Sequence, residues 1–333
     1  MKISRLIEQS KVGEKAQKDQ FAIDVLTGLC ATPKNLAAKY FYDDIGSEIF
    51  RNITQHKDYY PTRTEYEILD MVKQELPKII DEETIDIIEL GAGDGHKSQL
   101  IIDGFLNANR RVNFYPIDIS EKAMLMLRDN IKTHDNLNIH GVVAEYFEGL
   151  RYVKERSNNK QLVLFLGSNI GNFDRVQNQG FLRKLWMSLS TSDHVMLGFD
   201  LKKDVSVLTA AYNDSSGHTK AFNLNLLTRI NRELGGDFDT EKFQHFGVYS
   251  PTLGAMESYV LATEEQDVYI SALERSFHFD AYEPIHLEYS FKFLKSDIDF
   301  LSQKTGFEVV AHFSDPKDYF ADSLWKVVKG SDC

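Results

Sequence analysis

Short apolar runs alternate along the middle of this chain with stretches in which apolar residues recur every three or four positions. Ile85 to Leu90, Val112 to Ile117, Ile139 to Val143, Gln161 to Leu166 and His194 to Phe199 have strand length and little polar interruption. Such runs mark strands covered on both faces, as in a parallel sheet. Between them, Lys97 to Phe105, Glu121 to Ile131 and Phe181 to Ser188 carry helical spacing, the second with Met124, Leu127 and Ile131 on one side. Strands alternating with helices predict an α/β fold built around a parallel sheet.

The flanks follow other patterns. Residues 1 to 30 read as an exposed segment and then a helix carrying Phe21, Ile23, Val25, Leu26 and Leu29. From Pro33 to Glu65 the chain is crowded with Tyr40, Phe41, Tyr42, Phe50, Tyr59 and Tyr60, and Thr62 or Thr64 is placed to cap a helix from Glu65 to Leu76. Residues 205 to 285 break the alternation: Thr209 to Arg232 is helical with an interruption at Ser215-Ser216-Gly217, and alternating segments follow at Ser258 to Ala262 and Asp267 to Ile270. Strand-like Ile285 to Phe293, a helix at Ser296 to Lys304 and Phe307 to His312 are expected to complete the sheet. The predicted organisation is therefore a helical segment over residues 1–80, a core from residues 81–204 and 286–333, and an inserted subdomain at residues 205–285.

A length of 333 residues matches roughly two domains. With 42% hydrophobic and 26% charged residues, the composition is that of a folded globular protein. The net charge of −12 disfavours nucleic acid and anionic membranes as partners. Cys30 and Cys333 form neither a disulfide framework nor a thiolate cluster, and no apolar run reaches membrane-spanning length, so the expected location is the cytoplasm. The ten histidines show no metal-ligand spacing, and Ser168 lies in no nucleophile elbow. No metal is expected.

The candidate chemistry begins where the first strand ends, in Gly91-Ala92-Gly93-Asp94-Gly95. Glycine at alternate positions leaves backbone amides uncovered and permits positive φ, so a ligand can approach the main chain. Asp118 ends the second strand, where a carboxylate can accept from ribose hydroxyls. Glu145 and Tyr146 follow the third strand and offer a carboxylate and an amide to an adenine edge. Lys97 is either a solvated first-turn lysine or the partner of a ligand carboxylate. The dinucleotide fingerprint is missing its third glycine, and the pattern resembles S-adenosylmethionine-dependent methyltransferases. That resemblance implies a Rossmann-like class I methyltransferase sheet with an inserted substrate-binding subdomain, and S-adenosylmethionine as cofactor, held by Gly91, Gly93, Gly95, Lys97, Asp118, Glu145 and Tyr146. The alternative is a doubly wound sheet whose acidic strand ends only cap helices.

More specific runs lie outside the core. Tyr40-Phe41-Tyr42-Asp43-Asp44-Ile45-Gly46-Ser47, Asp58-Tyr59-Tyr60-Pro61-Thr62-Arg63-Thr64-Glu65, Leu166-Gly167-Ser168-Asn169-Ile170-Gly171-Asn172-Phe173 and Ala211-Tyr212-Asn213-Asp214 resemble the histidine-specific methyltransferase family of ergothioneine biosynthesis. The resemblance implies N-methylation of the α-amine of free histidine, carried to the trimethylated betaine hercynine. It implies that Tyr59, Asn172 and Tyr212 hold the α-amino and α-carboxylate end, and that Glu288 and Ser290 receive the imidazole with Met256 nearby. Alternation along the strand from Ile285 puts His286, Glu288 and Ser290 on one face. Tyr42, Tyr59 and Phe50 are candidates for an aromatic wall that accepts a methylated ammonium. Each residue also has a packing role open to it: the tyrosines as core aromatics, Asn172 as a turn residue, Glu288 as the exposed half of a strand. No general base is assigned. Two other functions remain open, N-methylation of another aromatic amino acid such as a tryptophan derivative, and a non-catalytic module that binds a nucleotide-like ligand.

Overall fold

The apolar runs form the centre of one large sheet. The computed structural model describes residues 1–6 and 11–330; Cys333 lies outside them, as does part of the N-terminal segment. In chain order the strands are β1 (Lys2–Arg5), β2 (Thr84–Leu90), β3 (Arg111–Asp118), β4 (Leu137–Val143), β5 (Lys160–Phe165) and β6 (His194–Asp200). There follow β7 (Phe243–Ser250), β8 (Ala255–Ala262), β9 (Gln266–Ile270), β10 (Arg275–Phe279), β11 (Pro284–Phe291), β12 (Phe307–Ser314) and β13 (Phe320–Val327).

The described residues divide into two compact units. The first holds residues 1–6, 61–202 and 292–330 and contains an eight-stranded sheet in the order β1-β4-β3-β2-β5-β6-β13-β12. The six strands from β1 to β6 run parallel, while β13 is antiparallel to β6 and to β12. Ile85, Ile87, Phe114, Leu162, Leu164 and Met196 from the sheet pack with Ile101, Phe105, Met124 and Leu127 from its helices, all fully buried. The direction of strand succession reverses at β2, which has β3 on one side and β5 on the other. In open parallel sheets such a reversal leaves a ligand crevice beyond the carboxyl ends of the strands.

The second unit holds residues 11–60 and 203–291. Its antiparallel sheet, in the order β11-β8-β7, and the β9-β10 hairpin share a core with the helices Lys11–Leu29 and His218–Leu234. Phe21, Phe222, Leu226, Ile230, Val260 and Ile285 belong to that core.

Several expectations are corrected. Residues 1–80 are not one segment: residues 11–60 belong to the second unit, whereas Ile68, Leu69, Val72, Leu76 and Ile80 pack in the core of the first. The strand expected to return to the large sheet at Ile285 is β11, in the three-stranded sheet. The helix expected from Glu65 begins at Tyr60, with Pro61 in its first turn, where the missing N–H costs nothing and the fixed φ suits a helix; Thr62 and Thr64 lie inside it. The exposed segment at the N-terminus contains β1, which is the edge strand of the large sheet and pairs with β4, Ile3 opposite Gly141.

Candidate active site

In the first unit the residues expected to hold the cofactor gather at the carboxyl ends of β2, β3 and β4. Gly91, Gly93 and Gly95 all have positive φ. They serve different ends. A Cβ on Gly95 would come within 3.0 Å of Leu127 and Ile131, so this glycine lets the loop lie on the neighbouring helix. A Cβ on Gly93 would meet no atom within 4 Å, which leaves open space above its backbone. That space is a cradle in which a ligand can reach the main chain.

Asp118 borders it. Its Oδ1 accepts the Ser120 N–H at 2.8 Å, and the Gly93 and Ile119 amides also point at the carboxylate. Burial pushes its pKa up against those bonds. Glu145 is exposed and makes no capping hydrogen bond to the helix Tyr146–Lys154 that it precedes. Its carboxylate is therefore not spent on the helix, contrary to the packing alternative. The Tyr146 ring meets Phe165 and Phe181 edge-on at 5.8 and 6.4 Å between centroids, and its hydroxyl lies over Gly91. Burial, with the nearby charges of Asp118 and Glu145, raises the pKa of this phenol and keeps it protonated.

Lys97 is not a solvated lysine. Its ammonium pairs with Glu65, whose side chain is 0% exposed and whose Oε1 accepts the Gly167 N–H at 2.6 Å. Burial alone would lower the Lys97 pKa, but Glu65 outweighs it and the group stays cationic. On β13, fully buried Asp322 is pushed well above the carboxylate range by burial and by the charge of Glu65. Glu89, which accepts from Ser98, is raised by burial to about 8. Sequence reasoning treated Glu65 only as a helix start and missed Asp322 and Glu89 altogether. The available signal was their position: Glu89 in the apolar β2 run, Glu65 at the end of the Tyr-Pro-Thr-Arg-Thr-Glu run.

The cradle at Gly93, the Asp118 carboxylate at a strand end and the Lys97 ammonium suit a ligand with a ribose at one end and an amino-acid carboxylate at the other. These residues fit the cofactor that the resemblance implies. Asn172 also belongs to this unit, half-buried at the end of the 3-10 turn Asn169–Asn172 that follows β5.

The other candidate residues lie in the second unit and form two groups. Tyr42 meets Phe50 edge-on at 5.4 Å, Phe50 meets Tyr59 at 6.3 Å, and both Tyr42 and Phe50 contact Phe222 of the helix His218–Leu234. Tyr42, Phe50 and Tyr59 thus form one aromatic cluster against that helix. The second group lies on the sheet β11-β8-β7. A β-bulge between His286 and Glu288 shifts the register, so that His286 pairs with Tyr259, Glu288 with Ser258 and Ser290 with Met256. Paired residues share a face, and the bulge's extra residue reverses the alternation. Glu288 and Ser290 therefore share a face with Met256 and Ser258, while His286 lies on the opposite face with Tyr259 and Tyr289, contrary to the alternation expected from sequence. Met256, 1% exposed, sits directly across from Ser290, and the Tyr212 hydroxyl donates to Ser290 Oγ at 2.6 Å.

The motif neighbours Asp43 and Asp214 have structural work. Asp43 accepts from the Gly46 N–H at 2.6 Å and from Asn225 at 2.9 Å, and pairs with Arg232, tying the start of one helix to another. Asp214 accepts the amides of His218 and Thr219 at the start of the helix His218–Leu234. Among the described residues, no cluster of His, Cys, Asp or Glu is built to hold a metal, and no helix is long and apolar enough to cross a membrane.

Residues 21–327 match the model of a family described as histidine-specific methyltransferase, SAM-dependent. The chain is similar to the histidine N-alpha-methyltransferase of Mycolicibacterium smegmatis, with 34% identity over 302 residues, 90% of this chain and 93% of that one. It is 33% identical to the enzyme of the same name from Mycobacterium tuberculosis over 321 residues, 96% of this chain and 99% of that one. Ergothioneine biosynthesis protein 1 of Neurospora crassa is 28% identical over 303 residues, which are 86% of this chain and 32% of that longer protein.

Proposed function

The chain belongs to the histidine-specific, S-adenosylmethionine-dependent methyltransferases, and from this premise we propose that it N-methylates the α-amine of free L-histidine, through to the trimethylated product hercynine. The observation that carries the substrate assignment is the polar face on which Tyr212, Ser290, Glu288 and buried Met256 converge. A carboxylate accepts from one imidazole nitrogen and a serine hydroxyl serves the other, whereas indole offers a single donor. This favours histidine over a tryptophan derivative.

S-Adenosylmethionine supplies an activated methyl group on a sulfonium, so the protein's task is alignment and desolvation. In this reading Asp118 receives the ribose hydroxyls, Glu145 and the Tyr146 amide the adenine edge, and Lys97 the amino-acid carboxylate of the cofactor. The open space at Gly93 lets the cofactor's chain lie against the backbone of the turn. Tyr59 and Tyr212 hold the α-end of histidine. The aromatic cluster of Tyr42, Phe50 and Tyr59 offers ring faces to the ammonium as methyl groups replace its hydrogens, because a quaternary ammonium is attracted to ring faces and needs no hydrogen bond. The incoming amine must be neutral, and the Tyr212 hydroxyl, which donates its proton to Ser290, keeps a lone pair that can accept the amine N–H. The net charge of −12 supports the absence of a nucleic-acid partner, and the sparse cysteines support a cytoplasmic location.

Mass spectrometry of each free amino acid incubated with the protein and S-adenosylmethionine tests the reading. Mass gains of one, two and three methyl groups on histidine are expected. Methylation of tryptophan in preference to histidine, or cofactor binding without turnover of any amino acid, would overturn it.

A further inference from the structure

The helix Val205–Tyr212 ends on the residue proposed to hold the substrate, and a helix end leaves carbonyls without intrahelical partners. Here the Tyr212 carbonyl accepts from His245 Nε2 on β7 at 2.9 Å. A carbonyl can only accept, so Nε2 carries the proton and Nδ1 is the acceptor, matching the Asn223 amide 2.8 Å away on the helix His218–Leu234. Both ring nitrogens are used, and Asn223 is 1% exposed. Two residues further along β7, Gly247 donates its N–H to Asn213 Oδ1 at 3.2 Å and accepts from Asn213 Nδ2 at 3.0 Å. A Cβ on Gly247 would come within 3.0 Å of the Tyr212 carbonyl and of the Asn213 amide, so the approach of helix end to strand depends on glycine. Tyr212 is thus anchored to β7 through its backbone and to β11 through its hydroxyl on Ser290, spanning β8 between them.

We propose that His245 is a positioning residue for the amino-acid site: it fixes the Tyr212 backbone so that the phenol is presented at Ser290, and thereby sets the affinity for the amino acid. This rests on the reading that Tyr212 holds the substrate. His245 itself touches no substrate. Burial lowers its pKa, although the Tyr212 carbonyl and Asp214 oppose this, and the neutral tautomer required by the two hydrogen bonds is the form present near neutral pH.

The test compares His245→Phe, His245→Gln, Tyr212→Phe and the double variant His245→Phe/Tyr212→Phe by steady-state kinetics with histidine, and by calorimetric binding of S-adenosylhomocysteine. His245→Phe removes the donor and should raise KM for histidine about tenfold with a smaller change in kcat and with cofactor affinity intact. His245→Gln can place an amide N–H on the same carbonyl and should restore most of the loss. If His245 acts through the Tyr212 phenol, its loss should add no more than about twofold once that phenol's hydroxyl is gone. Additive losses in the double variant, no rescue by glutamine, or an equal loss of cofactor affinity would overturn the inference. An unchanged KM in Tyr212→Phe would overturn the reading of Tyr212 itself, and the inference with it.

Discussion

Asp118→Asn isolates the charge of the strand-end carboxylate from its work in the loop. In the folded protein Asp118 Oδ1 accepts the Ser120 N–H at 2.8 Å, and asparagine keeps a carbonyl oxygen for that bond. What it loses is the negative charge and the second acceptor. Hydrogen bonds to an ionised group contribute about 1.5 to 3 kcal/mol, against about 0.5 to 1.5 for neutral pairs. Weakening those to the ribose hydroxyls should therefore cost about 1 to 3 kcal/mol, or about fivefold to a hundredfold in affinity. Since burial raises the pKa of Asp118, a higher pH favours its ionised form. Isothermal titration with S-adenosylhomocysteine at pH 8 gives the affinity, and urea unfolding of the unliganded protein serves as the control. Asp118→Ala also leaves the Ser120 amide unpaired, so it should lose more affinity and some stability. A folded Asp118→Asn protein with wild-type affinity would refute the placement of ribose at this strand end.

Glu288→Ala should lower kcat/KM for histidine by about tenfold to a hundredfold and narrow the preference over phenylalanine and tryptophan, since it removes the imidazole acceptor; an unaltered preference measured with the three amino acids would exclude this strand from the side-chain pocket. Gly93→Ala and Gly95→Ala should separate binding from folding. The first, with φ at +53° but no atom within 4 Å of the new methyl, should weaken cofactor binding and cost only the backbone strain of about 1 kcal/mol, whereas the second, with φ at +78° and Leu127 and Ile131 at 3.0 Å, adds a steric clash and should cost about 2 to 3 kcal/mol in denaturant unfolding. Equal effects of the two on stability would contradict this division. Glu89→Gln should change the pH dependence of stability. With a folded pKa of about 8 against an ordinary 4.5, Glu89 keeps a proton that the unfolded chain releases, so its contribution is full below pH 4.5 and is lost as pH rises to 8. The variant should gain stability relative to wild type across that window, by up to a few kcal/mol at its upper end, and a constant difference between their unfolding free energies from pH 5 to 8 would exclude a protonated Glu89.

The strands from β2 to β6 were legible because burial on both faces demands nearly continuous apolar runs, and Gly91, Gly93 and Gly95 were legible because few other residues tolerate positive φ. β13 was not. Its residues Phe320 to Trp325 are all buried, but Asp322 and Ser323 interrupt the apolar pattern, and only the surrounding residues, Glu65 and Lys97 among them, make a buried carboxyl there tenable. β1 is only four residues long, too short to show a period. The pairing of Lys97 with Glu65 joins residues 32 positions apart, and no local pattern records it.

Local propensity, apolar period and motif spacing therefore determined the parallel sheet, the glycine turn after β2 and the residue types at the strand ends, because each is encoded within a few consecutive positions. Which residues share a face was decided in three dimensions. The extra residue between His286 and Glu288 inverts every side chain beyond it, and whether a strand takes up such a bulge depends on the partner across the ladder. Register is a property of two strands at once. The convergence of Glu288, Ser290 and Met256 with Tyr212 exists only once β11 has paired with β8 and the helix end at Tyr212 has been anchored to β7.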